Sequence, residues 1–220
     1  MTDGLILDGV ALWLGGRRLI GPLDLKIEPG DVTTLMGPSG SGKSSLLAFI
    51  CGTLDPAFRA EGKVRLAGID IGALAPERRR LGILFQDDLL FPHLSVGGNL
   101  AFGLPFGLPR RERRARAVAA LAEAGLSGFV DRDPATLSGG QRARVALLRM
   151  LLSEPRALLL DEPFGRLDLR LRDQFRQSVF ARASAGALPV LMVTHDREDA
   201  EAARGKIVTV GEDLAEGPRE

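Results

Sequence analysis

The clearest indication of the fold comes from Val32-Thr33-Thr34-Leu35-Met36, followed directly by Gly37-Pro38-Ser39-Gly40-Ser41-Gly42-Lys43-Ser44. The first five residues are β-branched or apolar, as is typical of a buried strand. Residues 37–44 fit the spacing G-x-x-x-x-G-K-[ST], and the apolar residues after them predict a helix from Lys43 towards Cys51, capped by Gly52. A strand, a glycine-rich loop and a helix in immediate succession predict an α/β fold.

The glycine-rich segment, residues 37–44, is called the phosphate loop here. Its glycines let the backbone turn so that several N–H groups converge, and the positive end of the following helix favours an anion at the same point. Lys43 supplies a positive charge for the β- and γ-phosphates, and the Ser44 hydroxyl is the expected Mg²⁺ ligand. A chance Gly/Ser loop is the alternative, but strand, loop and helix agree. The predicted phosphate-binding residues are Gly37, Pro38, Ser39, Gly40, Ser41, Gly42, Lys43 and Ser44.

Composition narrows the class of protein. The chain has 220 residues, enough for one domain or for a core with an inserted lobe. Its 29 basic and 28 acidic residues give a net charge of +1, which argues against a broadly cationic nucleic-acid binder. The single cysteine excludes an intramolecular disulfide framework and a multi-cysteine zinc site, and the presence of only two histidines argues against a His-rich metal site.

The sequence has no membrane-spanning signal. No run approaches the ~18 apolar residues that span a bilayer, and Met1-Thr2-Asp3-Gly4 lacks the features of a signal peptide. We expect a cytoplasmic chain that reaches a membrane only through partners.

The residues around the phosphate loop predict the organisation of a single domain, residues 1–220. Short strands before residue 36 predict an antiparallel N-terminal β-subdomain, and residues 87–153 are mostly helical in character. Apolar strands and helices alternate again after Pro155. The predicted fold is therefore an α/β P-loop NTPase core with a mixed sheet (residues 1–86 and 154–220) and an inserted α-helical lobe (residues 87–153).

Two carboxylates stand at the end of an apolar strand, in Leu158-Leu159-Leu160-Asp161-Glu162-Pro163. Ligands bind at the carboxyl end of such strands in open α/β sheets. Asp161 is then the expected partner of Mg²⁺, and Glu162 the expected base for an attacking water. A strand that ends in a solvated turn is the alternative, and it is weak beside the phosphate loop.

A second glycine loop, Leu137-Ser138-Gly139-Gly140-Gln141, precedes an apolar helix. Ser138 is a typical N-cap residue, and the two glycines leave the first-turn N–H groups uncovered, which predicts a second anion site at a helix start. Capping chemistry alone favours the simpler interpretation of a well-capped helix.

The order of residues in the second glycine loop resembles the signature sequence of the ABC-type ATPases, the ATP-binding cassettes. Other motifs of that family follow its order here: the Q-loop glutamine at Gln86, the Walker B aspartate and catalytic glutamate at Asp161 and Glu162, the end of the D-loop at Leu167-Asp168, and the switch histidine at His195. The resemblance spans Leu5 to Val210. Residues 34–40, 135–149 and 158–164 are especially similar to a group of bacterial importer ATPases.

The resemblance implies a homodimer or paired cassette, with ATP and Mg²⁺ held between the phosphate loop of one subunit and the second glycine loop of the other. Its implied site residues are Glu162, His195 and Gln86 for catalysis, Ser44, Gln86 and Asp161 for the metal, and Ser138, Gly139, Gly140 and Gln141 for the partner's nucleotide. It also implies integral membrane permease subunits, a solute-binding protein, no nucleic-acid partner and a peripheral place on the cytoplasmic face of the inner membrane. A soluble relative that acts on ribosomes or DNA is the alternative.

Two positions depart from the family pattern. The D-loop, which usually begins Ser-Ala, reads Gly165-Arg166 here. The aromatic residue that usually stacks on adenine corresponds to Leu14, with Trp13 beside it. Because adjacent strand residues point to opposite faces, either Trp13 or Leu14 is left open as the adenine contact.

Overall fold

The structure is a computed structural model that describes residues 4–211 except 86, 88, 166 and 168. Its strands are β1 (Leu5–Leu14), β2 (Arg17–Ile27), β3 (Val32–Met36), β4 (Phe58–Leu66), β5 (Ile69–Asp70), β6 (Leu81–Leu84), β7 (Ala157–Asp161), β8 (Val190–Thr194) and β9 (Lys206–Thr209). Its α-helices are α1 (Lys43–Cys51), α2 (Val96–Gly103), α3 (Arg110–Glu123), α4 (Gly139–Leu151), α5 (Leu169–Ala185) and α6 (Arg197–Ala202).

The strands form two sheets. An antiparallel sheet has the order β2-β1-β4-β5, and a parallel sheet has the order β6-β7-β8-β3-β9. Strands β7 and β8 are buried along their whole length, which explains why they are continuous apolar runs in the sequence. The predicted α/β core with an antiparallel N-terminal sheet is confirmed.

Helix α1 packs between the two sheets, and the alternation of side chains along β7 separates two cores. Leu159 faces the core that contains α1 and the antiparallel sheet. Leu158 and Leu160 face the opposite core, which is formed with α4 and α5. Strand β7, which is buried on both faces, therefore holds α1 on one side of the parallel sheet and α4 and α5 on the other.

Helices α2, α3 and α4 lie between β6 and β7 in the chain and have a core of their own, built around Leu100, Leu121 and Val145. All three helices fall within the predicted lobe, residues 87–153. The two boundaries of the lobe remain a prediction. Among the residues that the structure describes, no helix is both long and apolar enough to cross a bilayer.

The parallel sheet brings distant segments to one edge. Met36, at the end of β3, pairs with Thr194 of β8, and Asp161, at the end of β7, pairs with Val193. Because parallel strands end on the same side of a sheet, the segments that follow β3, β7 and β8 meet there.

Candidate active site

The phosphate loop connects β3 to α1 in a conformation that needs glycine. Gly40 and Gly42 have φ angles of +79° and +87°, and a Cβ on Gly37 would lie 2.3 Å from the Val210 carbonyl oxygen. Gly42 is the N-cap of α1 and contributes no side-chain hydrogen bond. The N–H groups of the first turn are therefore not covered by a capping side chain, as an anion site requires.

Lys43 is the first residue of α1, and only 7% of it is exposed. Its ammonium donates hydrogen bonds to the carbonyl oxygens of Gly37, at 2.7 Å, and Pro38, at 2.8 Å. These bonds hold the charge over the loop. They use two of the three N–H donors of the ammonium.

Asp161 ends β7 and is 8% exposed. Burial raises the pKa of its carboxyl group, while a hydrogen bond with the Ser44 side chain acts in the opposite direction. The Ser44 hydroxyl therefore lies close to the Asp161 carboxylate. One carboxylate and one hydroxyl, completed by phosphate oxygens and water, is a typical protein contribution to a Mg²⁺ site. No cluster of three or more His, Cys, Asp or Glu residues suited to a metal occurs in the described part of the chain.

Glu162 and His195 are in contact at the ends of β7 and β8. A Glu162 carboxylate oxygen lies 2.7 Å from Nδ1 of His195 and also accepts a hydrogen bond from the His195 N–H at 3.2 Å. The other oxygen accepts from the Thr194 hydroxyl at 3.2 Å. Glu162 adopts a left-handed φ of +48°, which is unfavourable for a side chain of this size. Such strain is often retained at functional sites.

One cavity of about 460 Å³ brings these groups together. The phosphate loop lines it with Lys43 and Ser44, and the strand ends line it with Asp161, Glu162 and His195. The antiparallel sheet adds three apolar side chains, here called the apolar end: Leu14, Leu19 and Phe58. Of the two residues left open as the adenine contact, Leu14 lines the cavity.

Some predicted residues lie elsewhere. Residues 138–141 do not line this cavity. Ser138 instead caps α4, since its hydroxyl accepts a hydrogen bond from the Gln141 N–H at 3.3 Å and its own N–H donates to the Gln141 side chain at 2.9 Å. Gln86, Arg166 and Asp168 fall outside the described residues.

A buried ion cluster next to His195 was not predicted. Asp199, 1% exposed, accepts hydrogen bonds from Arg172 at 2.7 Å and from Arg176. Asp196, the N-cap of α6, accepts a further bond from Arg172 at 2.6 Å. Burial acts to raise the pKa of Asp196, but the bonds from Arg172 and the α6 backbone hold it below its ordinary value. The cluster ties α5 to the residue that follows His195.

Comparison with known proteins identifies the family of the chain. Residues 20–165 match the family model described as ABC transporter. YnjD of Escherichia coli, described as an uncharacterized ABC transporter ATP-binding protein, is 50% identical over 198 residues, which cover 90% of this chain and 91% of YnjD. The spermidine/putrescine import ATP-binding protein PotA of Frankia alni is 46% identical over 81% of this chain, but the match spans only 38% of PotA.

The solved structure of a dimeric bacterial ABC transporter cassette, MJ0796, superposes with a TM-score of 0.80 at 31% identity, covering 94% of each chain. The same cassette has been solved in a post-hydrolysis state with ADP and Pi. The chain therefore belongs to the ABC transporter family, and it is one of the family's ATP-binding, ATP-hydrolysing cassettes.

Proposed function

We propose that the chain binds Mg²⁺-ATP in the cavity described above, hydrolyses it as one half of a dimer, and powers an importer whose membrane subunits are separate chains. The single observation that carries this proposal is the convergence of Lys43, Asp161, Glu162 and His195 on one cavity.

The roles proposed for the site residues follow from their chemistry. The phosphate loop and Lys43 bind the phosphates, and Ser44 and Asp161 hold Mg²⁺, which offsets the charge of the β- and γ-phosphates. Glu162 accepts a proton from the attacking water. His195 orients the carboxylate, since its Nδ1 lies 2.7 Å from a Glu162 oxygen, and its imidazole lines the cavity where the γ-phosphate is proposed to bind. Gln86 completes the metal site as the family resemblance implies.

The second glycine loop acts on the nucleotide of a partner copy. Its residues Ser138, Gly139, Gly140 and Gln141 lie outside the cavity of their own chain. A Cβ on Gly139 would meet, within 4 Å and among described atoms, only the Arg142 guanidinium at 3.9 Å. Packing inside the chain therefore does not require glycine at this position, whereas close approach by a bound phosphate does. The dimeric cassette structure supports this arrangement.

A groove between β6 and the helices α2 and α4 is proposed to receive a helix of the membrane subunit. It has a volume of about 290 Å³, and its lining includes Phe85, Phe91, Phe102 and Arg149. The rings of Phe91 and Phe102 lie 4.6 Å apart, and Phe102 is 65% exposed. An exposed aromatic ring that packs on a half-buried one suits a protein contact. The import ATPase among the relatives supports a permease, a solute-binding protein and a peripheral place on the cytoplasmic face of the membrane.

Affinity purification of the tagged chain from detergent-solubilised membranes tests the transport role. We expect recovery of a protein with several membrane spans. Phe102→Glu, which places a charge in the groove, should abolish this recovery while ATP binding is unchanged. Phe106→Glu is the matched control, because Phe106 is fully exposed and does not line the groove. Recovery of ribosomes or DNA in place of a membrane protein would contradict the proposal.

A further inference from the structure

The apolar end of the cavity depends on how β1 and β4 pair. Leu14 lies directly opposite Phe58, and Trp13 lies directly opposite Arg59. Residues that face each other across an antiparallel pair point to the same side of the sheet, and successive residues point to opposite sides. Leu14 and Phe58 therefore share one face, and Trp13 and Arg59 share the other.

The neighbouring pair identifies the two faces. Leu12, opposite Ala60, is fully buried in the core that contains α1, so the Leu14–Phe58 face is the one turned towards the phosphate loop. Both residues line the cavity, and Leu14 is still 41% exposed. On the opposite face, the Arg59 guanidinium stacks over the Trp13 ring at 4.6 Å from its centroid.

A β-bulge adds the third apolar residue. Leu12 pairs with Ile20 and Trp13 with Arg18, so Leu19 is an extra residue in β2. Leu19 consequently packs on the phosphate loop, since a Cβ on Gly42 would lie 3.0 Å from the Leu19 Cβ. The apolar end is thus continuous with the part of the cavity that holds Lys43.

We propose that Phe58 of β4, and neither Trp13 nor another residue of β1, is the aromatic side chain that stacks on the adenine of ATP. Leu14 and Leu19 complete an apolar clamp around the base. This inference rests on the proposed function, because the phosphates must occupy the phosphate loop for the base to reach the apolar end. An aromatic face binds a nucleobase by stacking, and aliphatic side chains exclude water from its edges.

Equilibrium binding of Mg²⁺-ATP and of base-free Mg²⁺-tripolyphosphate tests the inference. Phe58→Ala should weaken ATP binding about 5- to 150-fold, as loss of one base–aromatic stack does, and leave tripolyphosphate binding within about 2-fold. Trp13→Ala is the matched control and should leave both affinities within about 2-fold. If Trp13→Ala loses ATP affinity and Phe58→Ala does not, the inference is overturned. Failure of the unchanged chain to bind either ligand would instead contradict the proposed function.

A fluorescence measurement gives the same answer without removing the aromatic ring. The chain contains one tryptophan, so the double variant Trp13→Phe, Phe58→Trp has its single indole at position 58. ATP should quench this indole, whereas tripolyphosphate should not. In the unchanged chain, ATP should leave Trp13 fluorescence unaltered. Quenching of Trp13 by ATP, or no quenching at position 58 on saturation with ATP, would overturn the inference.

Discussion

The two glycine loops of this chain each begin a helix, yet they begin it differently. At the phosphate loop, the N-cap of α1 is Gly42 in a left-handed conformation, without a side-chain cap. At the second glycine loop, Ser138 and Gln141 form a complete capping box at the start of α4. The first helix start is open towards a cavity, while the second has already bonded some of its donors within its own chain.

The glycines of the two loops also serve different contacts. Gly37 approaches the backbone of Val210 so closely that no side chain fits. At Gly139 the described part of the chain leaves room for one. Contacts within the fold therefore explain the glycine of the phosphate loop. The glycine of the second glycine loop is instead explained by close approach of a ligand from outside the chain. This difference is what a site shared between two copies requires.

The strongest effect is expected at Glu162, which lines the same cavity as the phosphate loop. Glu162→Gln should lower the steady-state rate of ATP hydrolysis by about 10² to 10⁴-fold, because the amide cannot accept the proton of the attacking water. ATP binding should persist, and size-exclusion chromatography with ATP should detect a dimer. Glu198→Gln, at an exposed glutamate of α6, is the control and should hydrolyse ATP normally. Near-normal turnover of Glu162→Gln would remove Glu162 from its proposed role.

Ser138→Arg tests whether the second glycine loop acts on the nucleotide of a partner copy. The added side chain should block approach of a second subunit's nucleotide and lower hydrolysis on the order of 10²-fold, comparable to loss of one essential oxyanion donor. The affinity of the isolated chain for ATP should stay within about 2-fold.

A control separates this effect from simple loss of a helix cap. Ser95 caps α2 in the same way, accepting a hydrogen bond from the Gly98 N–H at 3.1 Å. Ser95→Ala should cost about 1 kcal/mol of stability, as caps usually do, and leave hydrolysis intact. If Ser138→Arg also hydrolyses ATP at the normal rate, the shared-site arrangement is wrong.

Lys43→Ala measures what the phosphate loop contributes to binding within one subunit. Loss of a charged hydrogen bond of about 1.5–3 kcal/mol should weaken ATP binding roughly 10- to 150-fold in calorimetric titrations. Lys63→Ala, at an exposed position of β4, should not alter the affinity. Equal affinities for the two variants would contradict the assignment of the phosphate loop as the primary site.

The smallest expected effect is on stability and compares the glycines directly. Gly37→Ala forces a Cβ against the Val210 carbonyl, so the free energy of unfolding should fall by about 1–3 kcal/mol. Gly139→Ala should change it by less than about 0.5 kcal/mol. Urea denaturation monitored by circular dichroism measures both. A larger loss of stability for Gly139→Ala would mean that internal packing, and not an external ligand, explains that glycine.

Helix α2 illustrates why part of the fold could not be predicted. Its sequence, residues 96–103, contains Gly97, Gly98 and Gly103, and glycine disfavours helices. The packing explains two of them: a Cβ on Gly97 would lie 2.4 Å from Val130 Cγ2, and one on Gly103 would lie 2.2 Å from the Arg149 carbonyl oxygen. Only the neighbouring segments make these residues a helix, so local propensity could not indicate it.

The candidate site likewise contains contacts that the sequence predicted and contacts that it did not. The contact between Glu162 and His195 joins two residues that the sequence predicted. The ion pairs of Asp199 were missed, because Arg176 and Arg172 lie 23 and 27 residues away from Asp199 in the sequence. Charged residues on helices are ordinarily solvated. Nothing in their spacing indicates that Arg176 and Asp199 are buried together.

Sequence alone is enough to identify the phosphate loop, the acidic end of β7 and the alternation of strands and helices, because each depends on backbone conformation and polarity over a few consecutive residues. Which of those groups meet depends on how the sheets assemble. Parallel strands bring Asp161 and His195 to the phosphate loop, and antiparallel pairing aligns Phe58 with Leu14 while it turns Trp13 away. Long-range strand register sets these contacts, and register depends on the packing of whole sheets, which short stretches of sequence do not encode.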